Sequence, residues 1–134
     1  MIIPKLLKVN MEIVENLDRI DRPFKNAVIT IGNFDGVHKG HQGLFDMVKK
    51  KAREINGTSV AMTFEPHPLK ALGISTPPLI TRRDQKVELI DACGLDVLLC
   101  IPFDKQFSRL NANDFVEKLL VNKLGMKAII IGAD

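Results

Sequence analysis

The sequence predicts an α/β domain built on a doubly wound, Rossmann-like parallel sheet, in three α/β/α layers. Two observations carry this. Short β-branched apolar runs alternate with segments whose apolar residues recur at helical spacing. Those runs are apolar on both faces, as expected for strands covered by helices on both sides. Right-handed crossovers then wind the sheet in both directions. At 134 residues, with 46% apolar and 26% charged residues, the chain has the length and balance of one globular domain.

Ala27-Val28-Ile29-Thr30-Ile31-Gly32 is the first core strand. Leu44, Phe45, Val48, Ala52 and Ile55 then mark a helix over 41–55, with Gly57 expected as the residue that stops it. Thr58 to Phe64 is the second strand, ended by Pro66 and Pro68, which lack a ladder N–H. Residues 67–80 hold three prolines and little periodicity, and are expected to be a long connection. Thr81-Arg82-Arg83-Asp84 has capping-box character and opens a helix to Cys93, with Gly94 as its stop. Val97 to Ile101 is the third strand. Asn111 is expected to cap a helix whose inner face is Phe115, Val116, Leu119 and Leu120, ended by Gly125. Lys127 to Gly132 is the fourth strand. Residues 1–26 read as an N-terminal extension, with Met11 to Glu15 as an extra edge strand.

Composition excludes several classes. No run approaches the ~18 apolar residues needed to span a bilayer. No basic start, apolar stretch and cleavage site is present, so no secretory signal is expected. Cys93 and Cys100 have neither disulfide-framework nor zinc spacing and are expected as buried thiols in a reducing cytoplasm. The net charge of +3 is mild. Lys49, Lys50, Lys51 and Arg53 are expected on a solvated helix face. With no Trp or Tyr and seven scattered Phe, the platform that binds single-stranded nucleic acid is missing, so neither nucleic acid nor membrane is expected as a partner.

The chemistry lies at the tip of the first strand, in Gly32-Asn33-Phe34-Asp35-Gly36-Val37-His38-Lys39-Gly40-His41. Ligands of such sheets bind outside the carboxyl ends of the strands. Gly32 and Gly36 allow sharp turns and close approach of backbone to a ligand, and Gly40 is expected where chain and helix start pack tightly. The following helix start offers unpaired N–H groups and partial positive charge, which suits phosphate. His38 and His41, three apart, can present both imidazoles to one side and donate to phosphate oxygens. A lone histidine there would read as a cap or a surface group. Two of the chain's three, in one Gly-flanked turn, point to a phosphate clamp. No nucleophile stands beside a base, and neither a Walker loop nor a third zinc ligand is present. The pattern favours phosphoryl or nucleotidyl transfer by positioning and electrostatics.

Gly32 to Gln42 resembles the HxGH motif of the nucleotidyltransferase superfamily. Its extended form is similar to the adenylyltransferase module of bacterial bifunctional riboflavin kinase/FMN adenylyltransferases, the FAD synthetases. Met62-Thr63-Phe64-Glu65-Pro66-His67-Pro68 and the Ile130-Ile131-Gly132-Ala133-Asp134 ending strengthen the likeness, which covers most of residues 11–134. The resemblance implies transfer of AMP from ATP to FMN, with Mg²⁺, giving FAD and pyrophosphate. It implies His38 and His41 as the catalytic phosphate-holding pair, and Gly32, Asn33, Phe34, Asp35, Gly36 and Gly40 as the nucleotide site. It also implies Phe64, Pro66, His67 and Asp134 as flavin or nucleotide contacts. From the residues alone, Phe64 is equally a core aromatic and His67 equally a loop residue. The resemblance does not name Mg²⁺ ligands.

Family members continue past Asp134 with a Phe-Gly segment, another strand, a Ser/Thr-rich motif ending in Arg, and a riboflavin kinase domain. The chain is therefore expected to be a single, incomplete nucleotidyltransferase domain, impaired in catalysis. An exposed fourth strand could then support self-association. The competing readings are a non-catalytic nucleotide-binding module and another HxGH transferase of cytidylyl or pantetheine-phosphate type.

Overall fold

The computed structural model describes residues 11–34, 39–65 and 83–132. Five strands form one parallel sheet: β1 (Glu12–Val14), β2 (Ala27–Ile31), β3 (Thr58–Glu65), β4 (Val97–Pro102) and β5 (Met126–Ile129). Their spatial order is β1-β4-β3-β2-β5, so the chain winds outward in both directions from the central strands. The expected edge strand within Met11 to Glu15 is β1, which pairs Ile13 with Leu98. At the centre, Ile31 faces Met62 and Phe64 faces Ile101.

The two faces are covered separately. Helices α1 (Lys39–Glu54) and α2 (Arg83–Ala92) close one face, where Phe45, Val48 and Ile90 bury with Val28, Ala61 and Leu98. The other face buries Ile29, Met62 and Leu99 under Leu119, Leu120 and Leu124. Leu119 and Leu120 belong to α4, an α-helical turn at Ala112–Asp114 continuing through Phe115–Lys123, and Leu124 is its C-cap; a short α3 (Lys105–Ser108) precedes it. Burial on both faces is why the strand sequences lack polar alternation.

Several expectations change, and the last strand ends at Ile129, short of the predicted Gly132. Helix α1 starts at Lys39, two residues before the predicted start at 41. Gly57 does not hold the left-handed stop position after α1. Asn56 does, at φ 54°, and Gly57 is required because a Cβ there would land on the Asn26 carbonyl. Val116 is not on the inner face of α4 and is 43% exposed. Phe115–Lys123 has π-helical spacing, with Leu124 N–H donating to Leu119 O at 3.0 Å. The inward positions therefore recur at 115, 119–120 and 124, a longer interval than the 3.6 residues of an α-helix. Asn111 caps this helix as expected, its side chain accepting from Asp114 N–H at 2.8 Å. Gly94 and Gly125 take the expected stop positions at φ 84° and 76°. The predicted capping residues Thr81 and Arg82 and the connection over 67–80 lie outside the described residues.

The α1 basic cluster is a solvated face, with Lys49 paired to Asp46 at 3.4 Å and Lys51 to Glu54 at 3.8 Å. Cys100 is buried, whereas Cys93 is only half-buried. Among the described residues no helix is long and apolar enough to cross a membrane.

Candidate functional site

The parallel register brings the carboxyl ends of β2, β3 and β4 to one rim of the sheet. The candidate site starts at the tip of β2. Gly32 N–H donates to Met62 O at 3.0 Å, extending the ladder one residue past the strand. The chain then turns through Asn33 to Phe34, a non-glycine residue at φ 53°. The Phe34 ring does not face outward: it is 3% exposed, in T-shaped contact with Phe45 at 5.1 Å between centroids. A Cβ at Gly32 would stand 2.9 Å from this ring, so the glycine's smallness is used for ring packing. Of Phe34, the backbone is what remains for a ligand.

His41 lies in the first turn of α1 and is half-buried, its ring edge-on to Phe34 at 5.6 Å and 6.5 Å from Phe45. One side of the imidazole thus rests on the core, which restricts its orientation. The first turn of α1 holds no acidic side chain, so nothing there opposes an anion at the helix start. Gly40 is exposed in that turn, so it is not pressed into the packing as expected from sequence. Asp35, Gly36, His38, Pro66, His67 and Asp134 lie outside the described residues. Of the predicted residues, the structure therefore brings together Gly32, Asn33, Phe34, Gly40 and His41.

Beneath the turn lies a group the sequence reading missed. Lys86 of α2 is 6% exposed, and its Nζ donates to the Asn33 carbonyl at 2.6 Å. Thr63 Oγ1 donates to the same oxygen at 3.4 Å. Thr30 Oγ1, one strand away, is buried with no hydrogen-bond partner among the described residues. A signal for Lys86 existed: it precedes the buried Ile90 by one helical turn, so a lysine occupies the inward stripe of α2.

A second cluster stands at the ends of β3 and β4. Phe64 contacts Phe103 at 5.7 Å and Phe107 at 5.4 Å, and Phe107 contacts Phe115 at 6.0 Å. The phenylalanines that look scattered in sequence therefore gather. Phe64 is half-buried, packed against the core and at the rim together. A cleft lined by Ile101, Pro102, Asp104, Phe107, Leu110 and Asp114 adjoins this cluster.

The FAD synthetase family model matches residues 21–134, spanning both clusters and every strand from β2 onward. The chain belongs to the FAD synthetase family. Among curated relatives, it is 38% identical over 125 residues to the bifunctional riboflavin kinase/FMN adenylyltransferase of Buchnera aphidicola subsp. Acyrthosiphon pisum. It is 36% identical over 126 residues to the same-named protein of Escherichia coli K12. Both alignments cover 92% of this chain and 40% of the relative, so the chain spans about two-fifths of their length. A solved structure described as a macrolide-efflux protein from Streptococcus pneumoniae superposes with a TM-score of 0.74 at 28% identity, covering 92% of this chain and 48% of that one. That solved structure and this chain share the fold on which the strand-tip turn is built.

Proposed function

We propose that this domain binds ATP at the tip of β2 and FMN beside the β3–β4 aromatic cluster, as the adenylyltransferase module that makes FAD and pyrophosphate. The observation that carries the reading is the convergence of Gly32, the Asn33–Phe34 turn and the His41 ring at the start of α1, in a member of the FAD synthetase family. Backbone amides and the helix start would face the phosphates. His41, held edge-on by Phe34, and His38 would donate to phosphate oxygens and stabilise charge developing as the FMN phosphate attacks the α-phosphorus and pyrophosphate leaves. Gly36 and Asp35 would complete the nucleotide site. Pro66, His67 and Asp134 are proposed flavin or nucleotide contacts.

FMN's ring would lie against Phe64, Phe103 and Phe107, since flat aromatic surface stacks on such rings. In the adjoining cleft Lys118 pairs with Asp114 at 3.4 Å, and the remaining carboxylates of Asp18 and Asp104 would repel a phosphate. FMN's phosphate would then turn toward the β2 tip, where the α-phosphorus is held. Mg²⁺ would arrive with the triphosphate, keeping waters and phosphate oxygens as ligands. When bound, it would neutralise phosphate charge.

The exposed Ile129 and Ile131 on the β5 side would support self-association of the domain. Titration with ATP, CTP and FMN separately, followed by chromatographic assay of FAD from ATP, FMN and Mg²⁺, tests the reading. ATP should bind in preference to CTP, FMN should bind independently, and FAD should form. Failure to bind ATP would remove the nucleotide assignment, and preference for CTP would favour a cytidylyltransferase.

A further inference from the structure

We propose that Lys86 is a positioning residue of the nucleotide site, acting through the Asn33 carbonyl on the orientation of His41. The proposal rests on the ATP-binding reading above and extends it to a residue on a different element. Two side chains from separate elements, Lys86 on α2 and Thr63 on β3, donate to one carbonyl oxygen, at 2.6 and 3.4 Å. That oxygen belongs to the peptide entering Phe34, whose backbone sits at φ 53°. Such a conformation persists in a non-glycine residue when its surroundings hold it. The Phe34 ring, 3% exposed, then stands edge-on to His41 at 5.6 Å. The contacts are continuous: ammonium, carbonyl, turn, phenyl ring, imidazole.

A core role alone accounts poorly for this lysine. It is 6% exposed, and its one hydrogen bond among the described residues is to the neutral Asn33 carbonyl. No ion-pair partner stands against it among the described residues; burial of an ammonium is costly, and a methionine would fill the same space without that cost. What the ammonium supplies that methionine cannot is a strong donor aimed at the oxygen that sets the turn.

The test uses Lys86→Met, His41→Ala, their double variant and Lys86→Gln, in the full chain. Imidazole ¹⁵N resonances of His41 are recorded without nucleotide, and ATP affinity is measured by calorimetry. Lys86→Met should move the His41 resonances and weaken ATP binding about tenfold, the loss expected for a charge-assisted hydrogen bond. In the His41→Ala background the same change should cost less than about twofold, since Lys86 acts through His41. A folded Lys86→Met with unchanged His41 resonances, or an equal loss in both backgrounds, overturns the proposal. If Lys86→Met does not fold, Lys86→Gln decides. Its donor ends one atom short, so the His41 resonances should shift by less and ATP binding should weaken about threefold. Parent-like behaviour of Lys86→Gln, or its failure to fold, overturns the proposal. If the parent does not bind ATP, the nucleotide reading fails, while the nucleotide-free resonances still decide the role of Lys86.

Discussion

Replacing Gly32 by Ala probes the link between core packing and the candidate site. The new Cβ would lie 2.9 Å from one Phe34 ring carbon and 3.2 Å from another. The ring cannot swing aside freely, because it is buried against Phe45 at 5.1 Å and His41 at 5.6 Å. Overpacking of this kind costs ~1–3 kcal/mol. Unfolding entropy of ~2.1 cal/mol/K per residue, over 134 residues, converts this to a fall in Tm of about 4–11 °C. Gly43→Ala is the internal control. Its Cβ would meet nothing within 4 Å, on an exposed position of α1. Helix propensity then stabilises by ~0.5–1 kcal/mol, or about 2–4 °C. Far-UV circular dichroism is the assay, since the chain has no Trp or Tyr for fluorescence. ATP binding to Gly32→Ala should weaken as well, because the displaced ring supports His41. A Gly32→Ala melt within 1 °C of the parent, with Gly43→Ala raised as expected, would refute the packing argument; ~1 °C is below the effect of the smallest overpacking cost.

Further outcomes are expected elsewhere. Phe107→Ala should weaken FMN binding in a flavin fluorescence titration and destabilise the fold by ~3 kcal/mol or less, the ring being only half-buried. Asn111→Ala removes the cap of α4 and should cost ~1 kcal/mol in urea unfolding. Burial raises the Cys93 thiol above its ordinary value, with Lys49 opposing and Asp46 adding to the shift. Iodoacetamide alkylation of Cys93 should therefore be slow at neutral pH and accelerate only above the ordinary thiol range, and Lys49→Met should slow it further. Because the unfolded thiol ionises first, Cys93 contributes stability at neutral pH that declines as pH rises through the unfolded value.

The sheet was legible because both-face burial leaves unbroken β-branched runs at 27–31, 58–64 and 97–101. The edge strand at Glu12–Val14 falls within the short run 11–15 singled out in sequence. The turn at the β2 tip was legible from its glycines, but the inward course of Phe34 was not. A positive φ at a phenylalanine depends on tertiary contacts that residue type does not report. Lys86 escaped notice because a lysine in a helix ordinarily reads as surface, although its register with Ile90 argued otherwise. The π spacing of Phe115–Lys123 escaped because nine residues are too few to separate a longer period from 3.6. The Phe64–Phe103 contact is a product of parallel register: Phe103 N–H donates to Glu65 O at 3.1 Å, placing residues far apart in sequence side by side.

The central claim is that imidazole at the β2 tip meets nucleotide phosphate. The chain has three histidines, so its imidazole ¹⁵N spectrum is resolvable during an ATP titration. The His41 and His38 resonances should shift saturably together, with the donor signature of nitrogens bonded to phosphate oxygen, and inorganic phosphate should compete. Resonances that stay fixed while ATP binds, or that respond to zinc and not to ATP, would contradict the account.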